Sequence, residues 1–417
     1  MVKINLLLIA FLLFFGLRSL FQLILNRLNI FHMRKHGRAI PDDFKEIVDE
    51  KKFKTMAAYT VESSRFGIIA TLVDQAFFLL ILLSGVLPWW VEKVAALEWG
   101  MILSGLLFFA FLGLLPLILD IPFSLFETFG IENRYGFNTR TLKIWVTDFF
   151  KNLILSSLLG GLLLAFLLYL VSHGGKFWWI TAWVVVTLFE MLMIWLYPVL
   201  LAPLFNKFEP LENEELVQRI SDLMAKAGLR SRGVFRMDAS RRSKHTNAYF
   251  TGLGKSKRIV LFDTLLNSHP EEEILAILSH EVGHWKKKHI RKQAILVTGI
   301  SLVGFFLVSR LLGCEIIYST FGFARPTPYV GLFLIAVLFS PLLFFAQPLE
   351  ASFSRRFERE ADDFALALSS SKEPLIRSLK RLAADNLANL TPHPAYAWFY
   401  YSHPPMIERI ERLKEKE

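Results

Sequence analysis

Cysteine is almost absent from this 417-residue chain, where Cys314 stands alone. A lone thiol excludes an internal disulfide and any Cys-rich metal centre, so a metal would have to be held by His, Asp or Glu. Charge is scarce too: Asp, Glu, Lys and Arg make up only 20% of residues against 53% hydrophobic ones. That balance, with 39 Phe and 10 Trp, excludes an ordinary soluble domain and points to a chain that spends much of its length in lipid. Long basic runs, low-complexity tracts and internal repeats are also missing. The net charge of +10 therefore does not signal nucleic acid, because Lys and Arg follow the loops between hydrophobic stretches.

What the chain does contain is seven apolar stretches of about the 20 residues needed to cross a hydrocarbon core. They cover 4–25, 66–87, 99–123, 153–171, 177–200, 293–312 and 328–349. The first follows Lys3 as a signal peptide would. It is too long for one, carries Arg18 and lacks a small-x-small cleavage site before Asn26, so it is read as a retained span. Trp89, Trp90, Trp178 and Trp179 sit at span ends, where amphipathic rings settle. An odd number of spans separates the termini. The N-terminal side carries four Lys or Arg and the other side 41, with Arg18 and Arg310 inside spans. The excess of positive charge places the N-terminus outside and every large hydrophilic segment, the C-terminus included, in the cytoplasm. Arg18, Asp74, Asp120, Glu190 and Arg310 lie within spans, where ionisable groups face a bundle interior or a wet cavity. No individual role is assigned to them.

Segment 201–292 reads as a small folded region, with short strands at 233–238, 247–251 and 258–262 separated by Gly, Ser and basic turns. Ser268-His269-Pro270-Glu271 fits a capping box, and the spacing of Ile274, Leu275, Leu278 and Val282 predicts a helix over 271–288. That helix carries His280-Glu281-Val282-Gly283-His284. Residues four apart share a helical face, so both imidazoles can reach one ion while Glu281 projects beside it. Zinc with two His ligands and an open position for water needs one further protein ligand. Glu358 in Phe357-Glu358-Arg359-Glu360-Ala361-Asp362 is the best supplier, since Asp362 one turn on can orient a ligand His; Glu360 and Asp363 are lesser candidates. His284 lies nine residues before the sixth span and Glu358 nine after the seventh. Helical connections would set both ligands about 13 Å from the same membrane face.

One zinc ion per chain is therefore expected, with water attacking a peptide carbonyl and Glu281 as general base. A cytoplasmic His or Tyr would supply a donor to the oxyanion. The expected fold is an all-α multi-pass membrane protein of seven transmembrane helices with a small α+β zinc-peptidase region on the cytoplasmic side. Its divisions fall at 1–200 for spans one to five with their loops and at 201–292 for the region of the metal-motif helix. Residues 293–349 form the hairpin of spans six and seven, and 350–417 the C-terminal region with the third ligand.

Several segments resemble the type 1 CAAX prenyl endopeptidases, integral-membrane zinc proteases that process farnesylated proteins. They are His280–His289 (HEVGHWKKKH), 354–362 (SRRFEREAD), Asn247-Ala248-Tyr249-Phe250 and Tyr401-Ser402-His403-Pro404-Pro405, with Ala58-Tyr59-Thr60 and Ser64-Arg65-Phe66-Gly67 near the N-terminus. The resemblance spans about residues 40–413 and implies a seven-helix barrel around a large water-filled chamber. It implies zinc on His280, His284 and Glu358, with Glu281 as base. It further implies an edge strand at Asn247 and Ala248 that pairs with substrate backbone, and a His at His403 that helps to stabilise the intermediate.

No endoplasmic reticulum retrieval signal is seen at the C-terminus and the loops are compact, which suits a bacterial inner membrane better than the endoplasmic reticulum. Bacteria generally lack CAAX prenylation, which points to another membrane-associated or lipidated polypeptide as the natural substrate. Expected partners are a peptide or protein substrate, prenylated or otherwise membrane-associated, and membrane lipids. A monomer is compatible with the sequence, and the oligomeric state is left open. The nearest alternative is a quality-control protease for membrane proteins. A transporter or channel fits less well, because the candidate ligands lie outside the spans and no duplicated halves are seen. A catalytically dead scaffold gives no reason for a full set of base and ligands. His245, His289 and His393 are read as solvated or hydrogen-bonded surface residues, and Arg409 as the partner of a nearby carboxylate.

Overall fold

The computed structural model describes residues 1–37, 39–251, 258–369 and 371–416. The turn expected between the strands at 247–251 and 258–262 lies outside the described residues. The membrane part begins with α1 (Leu6–His36), α2 (Glu50–Leu83), the short α3 (Val86–Ala95), α4 (Gly100–Leu125), α5 (Leu142–His173) and α6 (Trp178–Leu196). A first hydrophilic segment holds α7 (Glu214–Lys226), α8 (Asp263–Ser268) and α9 (Glu271–Lys286). The chain re-enters the membrane with α10 (His289–Leu311), α11 (Glu315–Thr320) and α12 (Pro328–Phe345). It ends in α13 (Gln347–Leu368), α14 (Glu373–Asp385), α15 (Pro394–Tyr400) and α16 (Met406–Glu415).

Among the described residues seven helical runs are long and apolar enough to cross a membrane, one on each expected span. Several overrun the apolar stretch that announced them. α1 continues to His36 and α2 starts at Glu50, because a helix keeps its internal hydrogen bonds in water as well as in lipid. The third run ends in a π-helical turn, Phe126–Glu132, and the fifth passes through one, Tyr197–Leu201, before a last 3₁₀ turn at Ala202–Leu204.

The spans close into a ring. α1 touches α2, α3 bridges α2 to α4, and α4, α5, α6, α10 and α12 follow in turn until α12 returns to α1. At most 39% of the apolar window of any span is buried, and none of it in α10, so the wall is one helix thick rather than a solid bundle. Phe11, Leu87, Phe108, Leu168, Phe321 and Leu334 are fully or nearly fully buried together and seal the end that holds α3 and α11. Cavities open between spans. Arg18, Asp74 and Gln75 line one of about 290 Å³, and Asp120 lines another of about 950 Å³.

The other end carries the hydrophilic segments. Their sheet has the order β1 (Phe208–Pro210), β2 (Val234–Met237), β4 (Arg258–Phe262), β3 (Ala248–Thr251), with β2 and β4 parallel and the other pairs antiparallel. β3 is thus an edge strand. β1 was not expected: three residues ending in Pro210 carry no alternation to read.

From β4 the chain passes through α8 into α9, whose Ile274, Leu278 and Val282 are buried with Leu216 and Ile220 of α7. The capping box expected at Ser268 does not form. Ser268 ends α8 and its hydroxyl bonds His269 Nδ1 at 2.8 Å, while Pro270 caps α9 without a side-chain bond. Glu271, Glu272 and Glu273 fill the first turn of α9 instead, where the helix dipole favours them. Glu273 is buried and accepts from Arg381 Nε of α14 at 2.8 Å.

The helical connection expected between His284 and the sixth span is also broken. Lys288 takes a left-handed conformation (φ 59°) and separates α9 from α10. On the other side Glu358 lies on one unbroken helix, α13, which starts at Gln347 directly after the seventh span.

Candidate active site

α9 and α13 cross closely because both are small at the crossing. A Cβ on Gly283 would lie 2.9 Å from both the Cα and the carbonyl oxygen of Ala361, closer than real side chains come. This contact brings the two motifs face to face. His280 Nε2 and His284 Nε2 are 3.1 Å apart. Glu358 Oε2 is 3.3 Å from the first and Glu358 Oε1 3.1 Å from the second. All three side chains can therefore offer a ligand atom within 4.8 Å of one another. Glu360, a lesser candidate for third ligand, faces His289 and Arg356 instead, and Asp363 faces Arg412 and Lys416.

Two observations bear on whether a metal fits. Glu358 Oε2 is buried without a well-formed hydrogen bond, a costly position for a carboxylate oxygen unless a cation supplies the partner. The donor set of two imidazoles and a carboxylate suits a divalent ion of the zinc type. The electrostatics agree. Burial alone would raise the Glu358 carboxyl, but the His280 and His284 rings set against its oxygens outweigh it and hold the group well below the ordinary range. Burial likewise opposes charge on His280, yet its bond to Asp362 and the nearby Glu358 carboxylate raise its pKa to about 9. The pocket favours positive charge between its ligands.

Asp362 lies one turn beyond Glu358 and accepts from His280 Nδ1–H at 2.7 Å, which leaves Nε2 free to ligate. Its other anchor is Arg409 of α16, buried at 6% exposure, which donates through Nη2 at 2.6 Å and Nε at 3.0 Å. Burial would raise Asp362, but His280 and Arg409 bring it down to about 2. Glu281 is partly exposed beside the cluster, and burial pushes its carboxyl above the ordinary value, which makes the carboxylate a better base.

His280, Glu281, Glu358 and Arg409 open on a cavity of about 640 Å³, lined also by Asn247, Ala248, Asn386 and His403. His403 Nε2 is 3.4 Å from Glu358 Oε1, and its Nδ1 is 3.0 Å from Ser402 Oγ. His403 itself is exposed, and partial desolvation at the cleft, with Arg409 adding to the effect, lowers its pKa. Arg355, three residues before Glu358, donates to the carbonyl of Tyr401 at 2.7 Å and so ties the loop of His403 to α13. Ala248 starts the edge strand. Its N–H is taken by the Asn247 side chain at 2.8 Å, while the Asn247 carbonyl accepts from Phe262 at 3.2 Å.

Of the three histidines read as surface residues, His289 is not one. It is 3% exposed, stacked on Phe357 and placed between His284 and Glu360, because the break at Lys288 turns it inward. His245 is half-buried against Phe137 and bonds Asn386 Oδ1 at 2.9 Å, and His393 accepts from Ala395 N–H at the start of α15. Sequence reasoning also passed over Gly283, whose only signal was a glycine inside a helical pattern.

The "CAAX prenyl protease N-terminal, five membrane helices" family matches residues 29–207, and "Peptidase family M48" matches 210–417. A CAAX prenyl protease 1 homolog of Arabidopsis thaliana is 34% identical over 90% of this chain and 90% of its own. CAAX prenyl protease 1 of Saccharomyces cerevisiae is 33% identical over 90% of this chain and 88% of its own. In three dimensions the chain is similar to the crystal structure of S. mikatae Ste24p, with a TM-score of 0.92 and 30% identity over 99% of each chain.

Proposed function

The chain belongs to the M48 peptidases of the CAAX prenyl protease type, and from that premise we propose that it holds zinc on His280, His284 and Glu358 and cleaves membrane-associated peptides near their C-termini. The single observation that carries the reading is the meeting of those three side chains beside Glu281 at the mouth of a cleft. Zinc bound there supplies Lewis acidity toward water and the scissile carbonyl.

The chain's own groups do the rest. Glu281 takes a proton from the attacking water and later gives it to the leaving amine. Ser402 O–H bonding to His403 Nδ1 leaves His403 Nε2–H pointing into the cleft, where it donates to the oxyanion that forms on the substrate carbonyl. Asp362 and Arg409 hold His280 in the ligating tautomer. β3 is an edge strand, and the substrate lies along Asn247 and Ala248 as an added strand, displacing the Asn247 side chain from the Ala248 N–H.

Curated relatives named CAAX prenyl protease support prenylated substrates. The 41-to-4 distribution of Lys and Arg supports an outside N-terminus and a cytoplasmic catalytic side. Compact loops support a bacterial inner membrane, and one chain holds every group of the site, which supports a monomer. The test is a digest by purified protein of farnesylated and unmodified CAAX peptides, with and without a chelator, read by mass spectrometry. Chelator-sensitive cleavage preferring the farnesylated peptide is expected. Equal cleavage of both peptides would favour a general membrane-protein protease, and cleavage indifferent to chelator would overturn the metal assignment.

A further inference from the structure

Two imidazoles ligate in the proposed site, and each needs its second nitrogen held. His280 has Asp362. Among the described residues no carboxylate pairs with His284 Nδ1; the ring it faces is His289, with Nδ1 to Nδ1 at 3.1 Å. His289 in turn places Nε2 3.1 Å from Glu360 Oε2. His289 is 3% exposed and lies flat on Phe357, with ring centroids 4.3 Å apart and planes 9° from parallel. Glu360 is itself steadied by Arg356 Nε at 3.1 Å and Lys292 Nζ at 3.5 Å.

We propose that Glu360 and His289 form a hydrogen-bond relay that fixes His284 in its metal-binding tautomer. This rests on the zinc reading above. Only one proton arrangement satisfies every pair once His284 Nε2 must present a lone pair to an ion. His284 then carries its hydrogen on Nδ1 and donates to His289 Nδ1, so His289 carries its own on Nε2 and donates to the Glu360 carboxylate. With the protons reversed, His284 Nε2–H would point at the ion and could not ligate. One helix thus serves the whole site: α13 supplies the ligand Glu358, the Asp362 that orients the first imidazole, and the Glu360 that orients the second through a bridging ring. Glu360 sits two residues from Glu358, about 200° around the helix. It bonds His289, and His289 in turn faces His284. His289 and Glu360 are positioning residues, since neither touches substrate.

The test is metal affinity, measured on the full-length protein in detergent by competition with a chromophoric chelator, together with the visible absorption of the cobalt-substituted form. His289→Phe keeps the stacking on Phe357 and removes both hydrogen bonds, and Glu360→Ala removes the acceptor. Each is expected to weaken zinc by roughly 10- to 100-fold and to alter the cobalt spectrum. His289→Gln, which can accept with one atom and donate with the other, is expected to recover most of the affinity. Glu281→Ala is the control, with wild-type affinity. Parent protein that binds no metal would overturn the zinc reading itself. A parent and control that bind normally, with His289→Phe and Glu360→Ala as tight as they are, would overturn the relay alone. Failure of His289→Gln to recover affinity would assign the loss to shape rather than proton order and also overturn it. Should His289→Phe not fold, Glu360→Ala, at a partly exposed site, decides.

Discussion

At the scale of single residues, the neighbouring glutamates and histidines of the cleft divide into holders and actors. Glu358 is buried with its charge favoured by two imidazoles, whereas Glu281 stands beside them with its pKa raised by burial. Glu358→Ala should therefore leave the purified protein with well under one zinc per chain by elemental analysis. Glu281→Ala should keep its zinc and lose roughly 10²- to 10⁴-fold in kcat. His403 reaches the cleft from a loop and, among the described residues, meets the proposed ligands at Glu358. Its replacement by Ala should lower kcat by about 10²- to 10³-fold with KM and zinc content little changed, and a proportionate loss of zinc would instead make it a structural partner of Glu358.

At the scale of elements, the site depends on how closely α9 and α13 approach. Gly283→Ala adds about 1 kcal/mol of helix propensity. The new methyl group would meet backbone atoms of Ala361 at 2.9 Å, and backbone cannot rotate aside as a side chain can. Overpacking of this kind costs about 1–3 kcal/mol, so the clash wins. The variant should melt earlier and also bind zinc less tightly, because the helices that part are those carrying His284 and Glu358. A lower melting temperature with undiminished zinc affinity would show that the crossing does not set the ligand geometry. Gly283 was visible in the sequence only as a glycine in a helix, since its reason for being small belongs to Ala361, 78 residues further along the chain.

At the scale of the whole molecule, the catalytic segments are tied to the membrane wall through a few polar nodes. His245, between β2 and β3, bonds Glu132 at the end of the third span at 3.3 Å and Asn386 after α14 at 2.9 Å. Burial opposes its charge, but those bonds outweigh it and raise its pKa above the ordinary 6.5. Its charged form therefore stabilises the fold fully below pH 6.5, and that contribution fades as pH rises through the raised native value. Thermal melts of the chelated protein should show the difference between parent and His245→Gln largest below pH 6.5 and shrinking above it. For the proposed orientation, a reporter fused after Glu417 should be active in the cytoplasm, and external activity would reverse the topology.

The sequence by itself determined the spans, the class of protein and the helix with the two histidines proposed as metal ligands. Hydrophobic length, charge bias and fourfold spacing act along the chain, where they can be read from neighbouring residues. The capping box at Ser268 misled because the preceding short helix claimed that residue. The even helical connection misled because Lys288 turns the chain. What only the tertiary structure decided depends on partners distant in sequence: the crossing at Gly283 and Ala361, the burial of Arg409 beside Asp362, and the turning of His289 from an expected surface position into the space behind His284. Contact across a fold follows from packed volume and hydrogen-bond direction, and neither is written in the order of residues along a chain.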